Sequence, residues 1–152
     1  MNDYRKTVRI NAQPQAVFEA LTSTAGLSAW WTSATGSGVT GGELRFGFSA
    51  PGQCVVHVDE ATPAAVHWTV TACTVEPEWD GTRPVFTLLP LDGETTELQF
   101  CHHGLTEQLD CIEACTRGWN HFIGSLRDYA ETGIGSPNGT PAAETRHQRT
   151  DA

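Results

Sequence analysis

The residues best equipped for chemistry lie late in the chain. Cys101, His102 and His103 are consecutive, and Cys111 and Cys115 follow at the spacing of one helical turn. An imidazole titrates near neutral pH, so His102 is a candidate general acid/base or a hydrogen-bonding partner for a carbonyl or hydroxyl. The competing reading is a histidine tied to structural partners, as buried polar groups usually are. Thiols and imidazoles together also suggest zinc. No Cys-x-x-Cys pair occurs, however, and strand alternation puts Cys101 and His103 on the face opposite Cys111 and Cys115, so no metal site is expected. Gly36-Ser37-Gly38-Val39-Thr40-Gly41 spells the dinucleotide fingerprint, but a helix precedes it and a strand follows, the reverse of what a pyrophosphate cradle needs. Glu76, Glu78 and Asp80 around Trp79 read as a solvated acidic loop. No Ser/His/Asp triad, HExxH or P-loop is present, so no catalytic residue and no cofactor is assigned.

Composition narrows the classes further. The 152 residues carry a formal charge of −9 with only nine Lys and Arg, which argues against a nucleic-acid partner and against an anionic membrane surface. The first residues lack the apolar core of a signal peptide, and no apolar run approaches membrane-spanning length. Five cysteines without a secretion signal are expected to be reduced thiols in a cytoplasmic protein.

The elements that must position these groups can be read from periodicity. Tyr4–Ile10 alternates as a strand. Pro14 opens a helix carrying Val17, Phe18 and Leu21, and Ala25–Trp31 forms a second short one. Strands are predicted at Gly42–Phe48, Gln53–Glu60, Ala64–Cys73, Pro84–Leu89 and Glu94–His102, each with one apolar face. A long helix from Asp110 to Glu131 carries one stripe of Cys111, Cys115, Trp119, Phe122, Leu126 and Tyr129, and Thr132-Gly133 stops it. Residues 136–152 have no periodicity and are expected to form a disordered polar tail after a domain spanning 1–135. One apolar sheet face and one apolar helix stripe predict an α+β fold, a curved antiparallel sheet wrapped around the C-terminal helix, with a ligand cavity between them.

These residues also carry a resemblance. Pro14-Gln15-Ala16-Val17-Phe18-Glu19-Ala20-Leu21, Trp30-Trp31, Gly41-Gly42-Glu43-Leu44-Arg45-Phe46, His102-His103-Gly104-Leu105 and Gly118-Trp119-Asn120, in this order, are similar to the START-like (helix-grip, SRPBCC) superfamily. Within it they resemble the C-terminal domain of the activator of the heat-shock-protein-90 ATPase. The resemblance implies a hydrophobic ligand held between sheet and helix and supplies no shared catalytic set. Its chaperone activator uses a separate N-terminal domain, so a chaperone partner is a weaker expectation than a small hydrophobic or amphipathic molecule. Inward alternation and the helix stripe nominate Trp30, Leu44, Phe46, Val56, Trp68, Phe100, His102, Cys115, Trp119 and Phe122 as ligand-binding residues, with Trp30 at the cavity mouth. The leading expectation is a binding module without covalent chemistry. The runner-up is a cyclase- or aromatase-like enzyme with His102 as its acid/base, and a stress-linked protein-interaction domain is third. Exposed edge strands would allow a homodimer.

Overall fold

A computed structural model describes residues 3–48 and 52–138 of the chain. Strand β1 (Asp3–Ile10) leads through Pro14, set at the first turn where its missing N–H costs nothing, into α1 (Pro14–Thr22). The Ser23 hydroxyl accepts from the Gly26 N–H and caps α2 (Thr24–Trp30). The chain then runs antiparallel through β2 (Ala34–Gly36), β3 (Glu43–Gly47), β4 (Gln53–Thr62), β5 (Ala65–Cys73), β6 (Arg83–Asp92) and β7 (Thr95–Thr106). Helix α3 (Ile112–Thr132) closes the fold and ends at Gly133, whose φ of 84° is the left-handed stop that a glycine accepts without strain.

The seven strands form one sheet in the order β1-β7-β6-β5-β4-β3-β2, so β1 and β2 are its edges. The expected α+β helix-grip layout is what the chain adopts, with α3 and the two short helices against one face of the antiparallel sheet. Two local elements were not expected. Ala34–Gly36, which the periodicity assigned to no element, pairs with Leu44–Phe46 as a short edge strand. Pro77–Trp79, within the acidic loop, forms a 3-10 turn.

The sheet carries irregularities that alternation alone does not foresee. Val55 pairs with Ala72 but Val56 pairs with Val70, so Thr71 is an extra residue in β5. Such a bulge flips the parity of everything beyond it. Cys73 consequently turns inward opposite Cys54, although Val66, Trp68 and Val70 set the inward face before the bulge.

The core runs continuously from Ile10 and Leu21 through Trp30, Phe46, Trp68, Phe86 and Phe100 to Trp119, Ile123 and Leu126. The predicted tail begins at Ser136, yet Ser136 and Asn138 are both engaged. The Ser136 N–H donates to Ser125 Oγ, the His121 ring meets the Ser136 carbonyl, and the Asn138 N–H donates to the Trp31 carbonyl. The remainder of that segment, from residue 139, lies outside the described residues. Among the described residues no helix is long and apolar enough to cross a membrane.

Candidate functional site

A half-open pocket of about 270 Å³ lies between the first half of α3 and the loop that joins β5 to β6. Trp31, Phe48, Trp79, Trp119 and Phe122 make its walls, and Cys73, Val75, Glu76, Ala114, Cys115 and Gly118 complete the lining. Helical spacing explains one side, since Ala114, Cys115, Gly118, Trp119 and Phe122 share one face at offsets of three and four. The other side exists because the Thr71 bulge turns Cys73 inward and the 3-10 turn folds Trp79 back over α3. There the Trp79 and Trp119 rings stack, centroids 5.7 Å apart and planes within 4°. The Trp79 indole N–H donates to the Cys115 sulfur at 3.2 Å.

His102 stands behind this wall, fully buried. The Trp119 indole N–H donates to its Nδ1 at 3.0 Å, which leaves the ring proton on Nε2. That nitrogen lies 2.8 Å from the Thr82 hydroxyl, which in turn donates to the Trp79 carbonyl. Donors and acceptors run in one direction through the chain Trp119, His102, Thr82, Trp79, and each buried polar group is satisfied. Burial pushes the imidazole down to about 3, so it is neutral at physiological pH. Gly104 makes room for the chain. Its φ is 95°, and a Cβ there would come within 2.8 Å of Thr82 Cγ2. His102 thus fixes the two indoles that line the pocket and does not itself face it.

Of the ten nominated residues, Cys115, Trp119 and Phe122 line the pocket. Leu44, Phe46, Val56, Trp68 and Phe100 point inward as alternation requires, but they are packed solid under α2 and α3. Trp68 is the extreme case, fully buried against Trp31, Phe46 and Phe86 with its Nε1–H lacking any acceptor among the described residues. Trp30 is not at the mouth. Its indole N–H donates to the Ala20 carbonyl at 2.7 Å and anchors α2 to α1. The neighbouring Trp31 lines the pocket instead, because it is the C-terminal cap of α2 and its non-helical backbone turns the ring toward Trp119, centroids 5.2 Å apart. Trp79, Glu76 and Cys73 were missed. A large aromatic inside an acidic loop was the one signal available for Trp79.

The pocket thiols differ in character. The Cys54 S–H donates to the Cys73 sulfur, which holds the Cys73 thiol below the ordinary range, helped by the backbone N–H groups of Glu76 and Val75. Burial pushes the Cys115 thiol up.

A sheet gripping a long C-terminal helix, with an aromatic pocket at one end of that helix, defines a START-type helix-grip domain. The chain belongs to the family of activator of Hsp90 ATPase homolog 1-like proteins, whose model matches residues 11–131. The Aha1 dimer of Colwellia psychrerythraea is 31% identical over 89% of this chain and 100% of that one, with a TM-score of 0.76. An HSP90 activator from Plasmodium falciparum superposes with a TM-score of 0.67 at 17% identity, covering 83% of this chain and 94% of that chain. DynU16, a putative protein of the dynemicin biosynthetic locus, is 22% identical with a TM-score of 0.70 over 89% of this chain. This chain spans about half of that protein, 49% of its length. The last two likenesses show the fold alone. No curated protein sequence matches.

Proposed function

We propose that the protein binds a small, flat, apolar or amphipathic molecule non-covalently in the pocket between α3 and the β5–β6 loop. The observation that carries this reading is the wall of three indoles, Trp31, Trp79 and Trp119, around about 270 Å³ of open space with Glu76 as the one charged lining residue. Ligand sites are concave, mostly apolar and sparsely polar, and drug-sized ones occupy roughly 300–1,000 Å³. A volume just below that range suits a molecule of one or two rings better than a long acyl chain. The same reading places the protein in the reducing cytoplasm, where the Cys73 and Cys115 thiols stay available. Reaction chemistry in this pocket, of the cyclase kind, would have to draw on Glu76, Cys73 and Cys115, since His102 faces away.

Native mass spectrometry with organic extraction, followed by a thermal-shift screen of aromatic ligands, tests the reading. A ligand present at a hundred times its Kd stabilises the fold by about 2.7 kcal/mol. Ala114→Trp, which fills the rim from an exposed helix position, is expected to abolish that gain while leaving the unliganded protein as stable as before. Saturable stabilisation that survives this substitution would contradict the assignment.

A second reading, assembly as a homodimer, is favoured by the Colwellia relative, which is described as a dimer at 31% identity. Light scattering of the purified protein decides it: a mass of twice 16.4 kDa supports a dimer and 16.4 kDa excludes it.

A further inference from the structure

Two features that look unrelated in the sequence, the acidic loop after β5 and the thiols at the start of α3, meet in space. The carboxylate of Glu76 and the sulfurs of Cys111 and Cys115 all lie within 4.8 Å of one another. We propose that these three residues form a binding site for a thiophilic divalent cation of the zinc class, at the rim of the pocket. The site stands whether or not the pocket takes an apolar ligand.

The geometry is close to what such an ion requires. Tetrahedral zinc bonds sulfur at about 2.3 Å and carboxylate oxygen at about 2.0–2.2 Å, which separates neighbouring donors by roughly 3.5–3.8 Å. Closure of about 1.3 Å at most brings the three atoms onto one ion. Cys111 and Cys115 sit one turn apart at the N-terminal end of α3, and burial keeps both thiols protonated until a metal ion displaces their protons. The loop that brings Glu76 is pinned there independently, because the Glu78 carboxylate accepts from the N–H groups of Asp110 at 3.1 Å and Cys111 at 2.9 Å. The Trp79 N–H already donates to the Cys115 sulfur, the outer contact that metal-bound thiolates commonly receive. Donor chemistry selects the ion, since two sulfurs and one carboxylate suit zinc and not magnesium or calcium.

Binding releases the two thiol protons to solvent as two sulfur–metal bonds form, and the Glu76 carboxylate supplies the third. Three protein ligands leave a fourth position open. Because Glu76 and Cys115 both line the pocket, that position falls at its rim.

A second cluster, Asp3, Cys101 and His103, lies on the outer face of the sheet and serves as the internal comparison. It offers one thiol, and its other two members are already engaged. His103 Nδ1 lies 3.2 Å from an Asp3 carboxylate oxygen, and the other Asp3 oxygen accepts from the Gly104 N–H.

The test is a cobalt(II) titration of the full chain in a phosphine-reduced buffer, read by thiolate-to-cobalt charge-transfer absorption and then by displacement with zinc. One equivalent is expected to bind with that absorption. Cys111→Ser and Cys115→Ser should each weaken binding by tenfold or more, Glu76→Gln should weaken it while keeping the sulfur bands, and Cys101→Ser should change nothing. A readout without variants guards against misfolding: zinc should slow alkylation of Cys111 and Cys115 at least tenfold and leave Cys101 unprotected, as mapped by peptide mass spectrometry. Absence of a sulfur band at saturating cobalt, protection confined to Cys101, or binding that survives loss of both helix thiols would each overturn the proposal.

Discussion

The two ends of the space between sheet and helix are built from the same kinds of residue and behave differently. Under α2, the strands β3, β4 and β5 contribute Leu44, Phe46, Val56 and Trp68, and every one is sealed by its neighbours. At the start of α3, Trp119 and Phe122 present equally large apolar surface, but the facing wall is a loop, and about 270 Å³ stays open. An inward position is therefore a property of the strand or helix, whereas lining a pocket depends on what covers it. The first follows from a period of two or near four. The second depends on loops, caps and bulges.

Trp119 belongs to both ends, and its replacement should have the largest effect. Trp119→Ala removes a buried ring together with the donor to His102, and denaturant unfolding should show a loss of about 3–5 kcal/mol. His102→Phe comes next. It leaves the buried Trp119 N–H without its acceptor and the Thr82 hydroxyl with only its bond to the Trp79 carbonyl, and an unpaired buried group costs about 1–3 kcal/mol. If His102 were a ligand-facing group, the same change would leave stability nearly intact and abolish binding.

His102 also predicts a pH dependence. Its pKa is near 3 when folded and 6.5 in its ordinary state, so between those values the unfolded chain binds more protons. The contribution is complete above pH 6.5 and is lost as pH falls toward 3, by up to about 1.4 kcal/mol per pH unit. Unfolding measured at several pH values should show this slope in the native sequence, and His102→Gln should flatten it. Gly104→Ala is expected to cost about 1–3 kcal/mol, because it places a side chain at positive φ against Thr82. Ala114→Trp sits at the open end and should move stability by no more than about 0.5 kcal/mol. Its whole effect should fall on ligand binding, which makes it the counterpart of the buried substitutions.

The same division explains what the sequence disclosed. Strand alternation and the α3 stripe located the sheet face, the helix and the continuous core, because both periods follow directly from backbone geometry. They placed His102 inward, as found, but gave no sign that Thr82 and Trp119 would occupy both of its nitrogens. Trp79 stayed hidden because acidic neighbours made its loop read as solvated. Cys73 stayed hidden because the extra residue at Thr71 reversed the parity of β5. Trp30 and Trp31 were exchanged because the helix ends between them. In each case the missing information was a local departure from regular structure.

The most direct test uses the five tryptophans, two in the sealed end and three around the pocket. A ¹H–¹⁵N spectrum resolves their indole N–H signals, and 2-naphthol serves as a flat amphipathic probe. Saturable shifts are expected for Trp31, Trp79 and Trp119, while Trp30 and Trp68 stay in place. Shifts concentrated on Trp30 and Trp68, or no shift at any of the five, would contradict a ligand site in this pocket.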